Sequence, residues 1–270
     1  MSRDDREDFE KTRERFLRET RGHEMTISLD LSQDKENPQL YRHLRFSNKS
    51  QGGYWFDILT WPGGLTFRGD GESYSFSVYE PDTLKLFRNR DWRGKYMDVR
   101  YCAEKLTSNR DCVIEYQEEL FVKAVKEQAE YAIENDQIEK DQLERFWETL
   151  KNEIFDAGEI SAQEGAIEIL NSFEFYNDES KEFSSSHKAD FDFQEWWEWF
   201  DGSVKGYNWW FMWAICALCW GVEQYDAVVG TKAQNTAKQG RDTAEVGQKA
   251  TVGSNATWGR NTAREGVKLG

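Results

Sequence analysis

Residues 54–78, YWFDILTWPGGLTFRGDGESYSFSV, leave this part of the chain little conformational freedom. Pro62-Gly63-Gly64 and Gly69-Asp70-Gly71 interrupt β-rich runs with turn chemistry, so three strands follow one another as two hairpins. Tyr74, Phe76 and Val78 alternate with Ser73, Ser75 and Ser77, the pattern of a strand with one face buried and one wet. Upstream, MTISLDL and LYRHLRF are runs of the same kind, and residues 25–78 together read as an antiparallel sheet.

The texture turns helical after Pro81. DTLKLFRN starts with Asp82 as an expected cap, and EYQEELFVKAVKEQAEYAIEN carries Leu120, Phe121, Ala124, Val125, Ala129, Ala132 and Ile133 at helical spacing. KDQLERFWETLKNEIF repeats that spacing with Leu143, Phe146, Trp147, Leu150 and Ile154. SAQEGAIEIL reads as a helix opened by a capping box of Ser161 and Glu164. Residues 177–192 are polar and read as a loop, while residues 193–200, FQEWWEWF, read as an amphipathic helix docked by its rings. The expected class is α+β: an N-terminal antiparallel β-sheet followed by a helical region with a Trp-rich C-terminal core helix. The expected segments are an exposed, charged helical arm over 1–22, a β-rich domain over 23–110, a helical domain over 111–228 and a repetitive Ala/Gly tail over 229–270.

That C-terminal helix lies in YNWWFMWAICALCWGVEQYD, residues 207–226. Its apolar run from position 209 to 222 is about fourteen residues, short of the roughly twenty that a bilayer-crossing helix needs, and no basic cluster flanks it. A buried helix is expected and a membrane span is not. Twelve Trp and 17 Phe among 270 residues give the chain enough apolar area for an aromatic core. Trp55, Trp61, Trp196, Trp197, Trp209, Trp213 and Trp220 are therefore candidates for the core or for an interface.

Charge narrows the function. A net charge of −15 disfavours direct nucleic-acid binding, which requires clustered Lys and Arg against phosphates. It fits a solvated surface, docking on a basic partner, or imitation of DNA. The segment MSRDDREDFEKTRERF is charged throughout and has no apolar signal-peptide core, so a cytoplasmic protein is expected. Cys216 and Cys219 form a C-x-x-C that would suit half a zinc site or a redox pair. Their apolar flanks favour inert buried thiols.

No P-loop, dinucleotide fingerprint, nucleophile elbow, H-E-x-x-H or EF-hand loop occurs. Asp57 and Asp70, on consecutive hairpins near Arg68, are the carboxylates most able to meet for acid–base or metal chemistry. The plainer reading makes Asp57 a strand acid paired with Arg68 and Asp70 a turn residue in an Asx motif. His43, within an expected strand, reads as structural. No catalytic residue, cofactor or metal site is assigned. In the tail, repeats of about seven residues place Ala237, Gly240, Ala244 and Gly247 on one stripe, readable as a flexible segment or as a helix formed on assembly.

Two motifs carry a resemblance. Trp55-Phe56-Asp57 with Thr60-Trp61-Pro62-Gly63, and far downstream Trp220-Gly221-Val222 with Gln224-Tyr225-Asp226, resemble the patterns W-F-D-x-x-T-W-P-G and W-G-V-x-Q-Y-D of a bacteriophage early-protein family. The likeness covers most of residues 40–228 and is similar to the Gabija anti-defence proteins; Glu72 and the repetitive tail depart from it. It implies a non-enzymatic phage protein in the cytoplasm of the infected host. Such a protein would bind the bacterial Gabija nuclease–ATPase complex, assemble with itself into a homo-oligomeric shell, and block DNA recognition and cleavage. The alternatives are an acidic DNA-mimic inhibitor of another DNA-processing enzyme and a metal-dependent hydrolase.

Overall fold

The structure, a computed structural model, describes residues 3–34, 36–88, 92, 97–178, 180, 188–193 and 195–230. The chain divides into two units, Met1–Cys219 and Trp220–Gly270.

In the first unit, helix α1 (Arg3–Glu19) precedes a five-stranded antiparallel meander: β1 (Glu24–Asp30), β2 (Arg42–Asn48), β3 (Gln51–Trp61), β4 (Gly64–Gly69) and β5 (Ser73–Ser77). The β3–β4 turn forms as its sequence demands, with Pro62 at its first central position and Gly63 at φ +76°. Alternation then sorts the side chains. Leu44 and Phe46 of β2, Phe56 and Ile58 of β3, Leu65 and Phe67 of β4, and Tyr74 and Phe76 of β5 are all buried on one side. Regular β5 stops at Ser77, one residue short of Val78.

The sequence reading of residues 1–22 as an exposed arm is corrected here. Phe9 and Phe16 are buried together with Thr12 and Thr20, so α1 and the residue that follows it present a stripe to the core at positions 9, 12, 16 and 20. The Phe16 ring centroid lies 5.1 Å from that of Trp213 and 6.0 Å from that of Trp92. Two threonines in the stripe make it look polar in sequence.

A short helix α2 (Val99–Glu104) and strand β6 (Ile114–Tyr116) lead into α3 (Glu118–Glu134), α4 (Leu143–Leu150) and α5 (Gln163–Ser172). Then come β7 (Glu174–Phe175), β8 (Phe191–Asp192), α6 (Phe200–Ser203) and β9 (Lys205–Tyr207). Strands β6 and β9 pair antiparallel, as do β7 and β8. The α3 positions anticipated by helical spacing are buried at Phe121, Ala124, Val125, Ala129 and Ala132. They share a second core with Phe146, Leu150, Phe175, Phe191 and Phe200. Asp82 caps its turn by accepting from the Leu84 N–H at 3.4 Å, although the turn is only a 3-10 helix.

Three local expectations are corrected. Ser161 does not cap α5: it ends a 3-10 turn and donates to the Gly158 carbonyl, leaving Ala162 at the N-cap. Residues 193–200 are not one helix; a 3-10 turn at Trp196–Glu198 precedes the single turn of α6. The polar loop is interrupted at Phe191–Asp192, which pair with β7; residues 179 and 181–187 of that loop lie outside the described residues.

The last helix, α7, runs over residues 209–230. Positions 211–219 are all buried, including Cys216 and Cys219 as free thiols, and burial pushes the Cys216 thiol well above its usual range. Among the described residues no helix is long and apolar enough to cross a membrane. Of the second unit, residues 220–230 are described. They continue α7, with Val222 and Tyr225 buried and Trp220 half-buried.

Candidate docking face of the sheet

Both faces of the sheet come from the same strands, so burying Phe56, Ile58 and Thr60 inward turns Trp55, Asp57, Leu59 and Trp61 outward. The ladders align these with neighbours in rows. Thr26, Arg45, Asp57, Arg68 and Ser73 stand opposite one another across all five strands, and Leu29, His43, Leu59, Thr66 and Ser75 form the next row. The Arg68 side chain of the first row and Leu29 of the second are 54% and 43% exposed, and Trp61 one row further along β3 is 40% exposed, so this side faces solvent.

At the centre of the first row Asp57 is nearly fully buried, beneath two arginines and beside an imidazole. Arg45 Nη1 lies 3.3 Å from each carboxylate oxygen, Arg68 Nε 3.6 Å from Oδ2, and His43 Nε2 3.5 Å from Oδ1. The two guanidinium carbons also approach the Trp55 ring, at 4.5 Å from the centroid for Arg45 and 5.3 Å for Arg68. One carboxylate and one indole thus hold two arginines in fixed directions. A single negative charge faces two permanent positive ones, so the cluster keeps a surplus positive charge on a chain whose net charge is −15. Asp57 engages Nη1 of Arg45 and Nε of Arg68. Among the described residues, the Arg68 terminal nitrogens have no hydrogen-bond partner.

Asp57 pairs with Arg68 as the sequence reading anticipated, with Arg45 added. Asp70 does something else: its Oδ2 accepts from the Tyr54 N–H at 3.0 Å, across the hairpin rather than within its own turn. That bond holds Tyr54 at φ +59°, a conformation unfavourable for a bulky residue, and aims the adjacent Trp55 outward. Trp61 is supported differently. A Cβ on Gly64 would sit 2.2 Å from its indole, so the ring lies flat over a position only glycine leaves open.

The remaining tryptophans sort into other roles. Trp213 is buried, surrounded by Phe16, Phe56 and Phe67, and its indole N–H donates to Glu19 Oε2 at 3.0 Å. Trp196 packs against the second core and donates to Asn171 Oδ1 at 2.8 Å, while Trp197 is 61% exposed. Trp209 is half-buried with the Arg15 guanidinium 4.0 Å above its ring. It also lines a groove of about 510 Å³ with Lys11, Glu115, Lys123 and Met212. Burial, and secondarily Glu72, raises the Glu115 carboxyl above its usual range, and Lys11 is already paired with Glu7 at 3.3 Å. Ala237, Gly240, Ala244 and Gly247 lie outside the described residues.

Among the described residues no group of three or more His, Cys, Asp or Glu is placed to hold a metal ion. No protein-family model matches the chain, and neither the characterised proteins nor the solved structures compared with it give a match.

Proposed function

We propose that this protein is a phage anti-defence protein that acts by binding: it docks on a bacterial immune nuclease complex of the Gabija type, assembles with further copies of itself around it, and blocks DNA recognition and cleavage in the host cytoplasm. One observation carries the binding part of the reading. The motif W-F-D-x-x-T-W-P-G lies along β3 and its turn, and its outward members Trp55, Asp57 and Trp61 lie on the open sheet face with Arg45 and Arg68. Tryptophan and arginine are the residues that most often dominate protein–protein binding energy. Rings and guanidiniums already held in place lose little further freedom on binding. The target itself rests on the motif resemblance.

The test is mass measurement by light scattering for the protein alone, for a purified Gabija complex, and for the mixture, with DNA cleavage assayed on each. A joint species that no longer cleaves DNA is expected. Two unchanged masses with full cleavage would remove this target.

A further inference from the structure

We infer that the open face of the sheet recognises an acidic protein segment, whose carboxylates take the unpartnered N–H groups of Arg68 and its neighbour Arg45 and whose apolar side chains lie over Leu59 and Trp61. This deepens the binding reading above by naming the chemistry of what the face meets.

Charge is the first argument. Arg45 and Arg68 stand on either side of Asp57 in one cross-strand row, so that row carries one surplus positive charge on a strongly negative chain, with Asp70 bounding it beyond Trp55. A partner matched to this face is negative where it touches the row. Geometry is the second argument. A guanidinium presents paired N–H donors in a plane and suits a carboxylate bidentately. Asp57 and the Trp55 ring already contact both guanidiniums, which limits how far they can turn. Apolar area is the third. Leu59 is half-buried in the row next to the arginines and Trp61, 40% exposed, follows one row further along β3, so the segment carries apolar groups next to its acids. A nucleic-acid backbone fits less well. It needs a run of cations tracking successive phosphates, and here one pair of arginines shares a carboxylate within a chain of net charge −15.

Asp57 is a positioning residue in this scheme. It is too buried to touch the partner, and it holds the two arginines apart and oriented.

The experiment uses the full chain labelled with ¹⁵N and follows the indole N–H signals of Trp55 and Trp61. The probes are a short synthetic peptide alternating glutamate with leucine and tyrosine, its glutamine counterpart, and a single-stranded oligonucleotide. The glutamate peptide is expected to shift both signals saturably, and the glutamine peptide to leave them in place. In the double variant Arg45→Gln, Arg68→Gln the affinity is expected to fall at least about tenfold. If that variant unfolds because Asp57 loses its counter-charges, Arg45→Lys with Arg68→Lys keeps the charge and removes the fork. An intermediate loss is then expected.

Glutamate-peptide binding that is unchanged in both variants would overturn the inference. So would tighter binding of the oligonucleotide at the same two signals. Failure here is separable from failure of the target. Peptide recognition without a joint species would leave the face and remove the Gabija complex, and a joint species indifferent to both arginine variants would do the reverse.

Discussion

The two faces of the five-stranded sheet are built from the same strands and obey opposite rules. On the inner face, Phe56 meets Phe46 at 4.6 Å and Phe67 at 5.6 Å between ring centroids, and Trp213 from α7 closes over them. On the outer face, one residue along in each strand, Arg45, Asp57 and Arg68 stand in a row with Trp55 beneath the guanidiniums. Apolar area removed from water stabilises the first. The second sets two half-exposed arginines over one buried carboxylate; the arginines' attraction is screened by solvent and each contributes little to folding, while the carboxylate depends on having them. The difference teaches that stability resides on one side of the sheet and recognition on the other, and each side can be broken alone.

The largest effect is expected inside. Trp213→Ala removes a buried indole from the contacts of Phe16, Phe56 and Phe67 and takes the indole donor from Glu19 Oε2, so a loss of about 3–5 kcal/mol is expected in denaturant unfolding. A loss below about 1 kcal/mol would contradict its place in the core. Asp57→Ala comes next, because the carboxylate accepts charged hydrogen bonds while itself buried; about 1–3 kcal/mol is expected, with release of both arginines. Asp57→Asn separates the two consequences. It keeps the shape and removes the charge, so ring-current shifts at Trp55 report whether the guanidiniums still lie over it.

The sequence made much of this contrast legible. Alternation through residues 73–78, and turn chemistry at Pro62-Gly63, place β3, β4 and β5 and their inward residues, because period two and positive φ are local properties. The Asp57–Arg68 pair is also legible, since a two-residue turn fixes the β3–β4 register. Arg45 was missed, although it alternates with Leu44 and Phe46 in the same way. Its position opposite Asp57 depends on the β2–β3 connection, where the ladder shifts between Phe46 and Asn48 and no simple turn counts the residues. The role of α1 was missed for a different reason. Charge dominates that helix, and its buried stripe uses Thr12 and Thr20, whose hydroxyls hide it from an apolar pattern; Thr20 satisfies its own by donating to the Phe16 carbonyl. Ser161 and Glu164 show the reverse error, a cap written in sequence that a preceding 3-10 turn displaces.

A smaller effect tests the outer face. Arg68→Ala should change stability by no more than about 1 kcal/mol, since a half-exposed arginine paired with one carboxylate contributes little and Arg45 still covers Asp57. Its effect on acidic-peptide affinity should be the larger of the two. Calorimetric unfolding and peptide titration on one preparation check both. Large destabilisation with unaltered binding would invert the assignment of the two faces.

The smallest effect lies where the faces meet, at Tyr54. His23 places Nε2 at 3.0 Å from the Tyr54 carbonyl, while its Nδ1 is buried without a partner among the described residues. Nε2 therefore carries the proton of a neutral ring, and burial lowers the His23 pKa from its ordinary 6.5, against the raising influence of the Tyr54 and Thr20 backbones. The unfolded chain then takes up a proton at a higher pH than the folded one. The stability is complete above the unfolded value and is lost as pH falls through the lower folded value. Unfolding midpoints between neutral pH and about pH 5.5 should decline for the natural chain, in a range where most carboxylates stay ionised. In His23→Gln, which keeps a donor for Tyr54, that decline should flatten. An equal slope in both proteins would show that the imidazole does not titrate with folding.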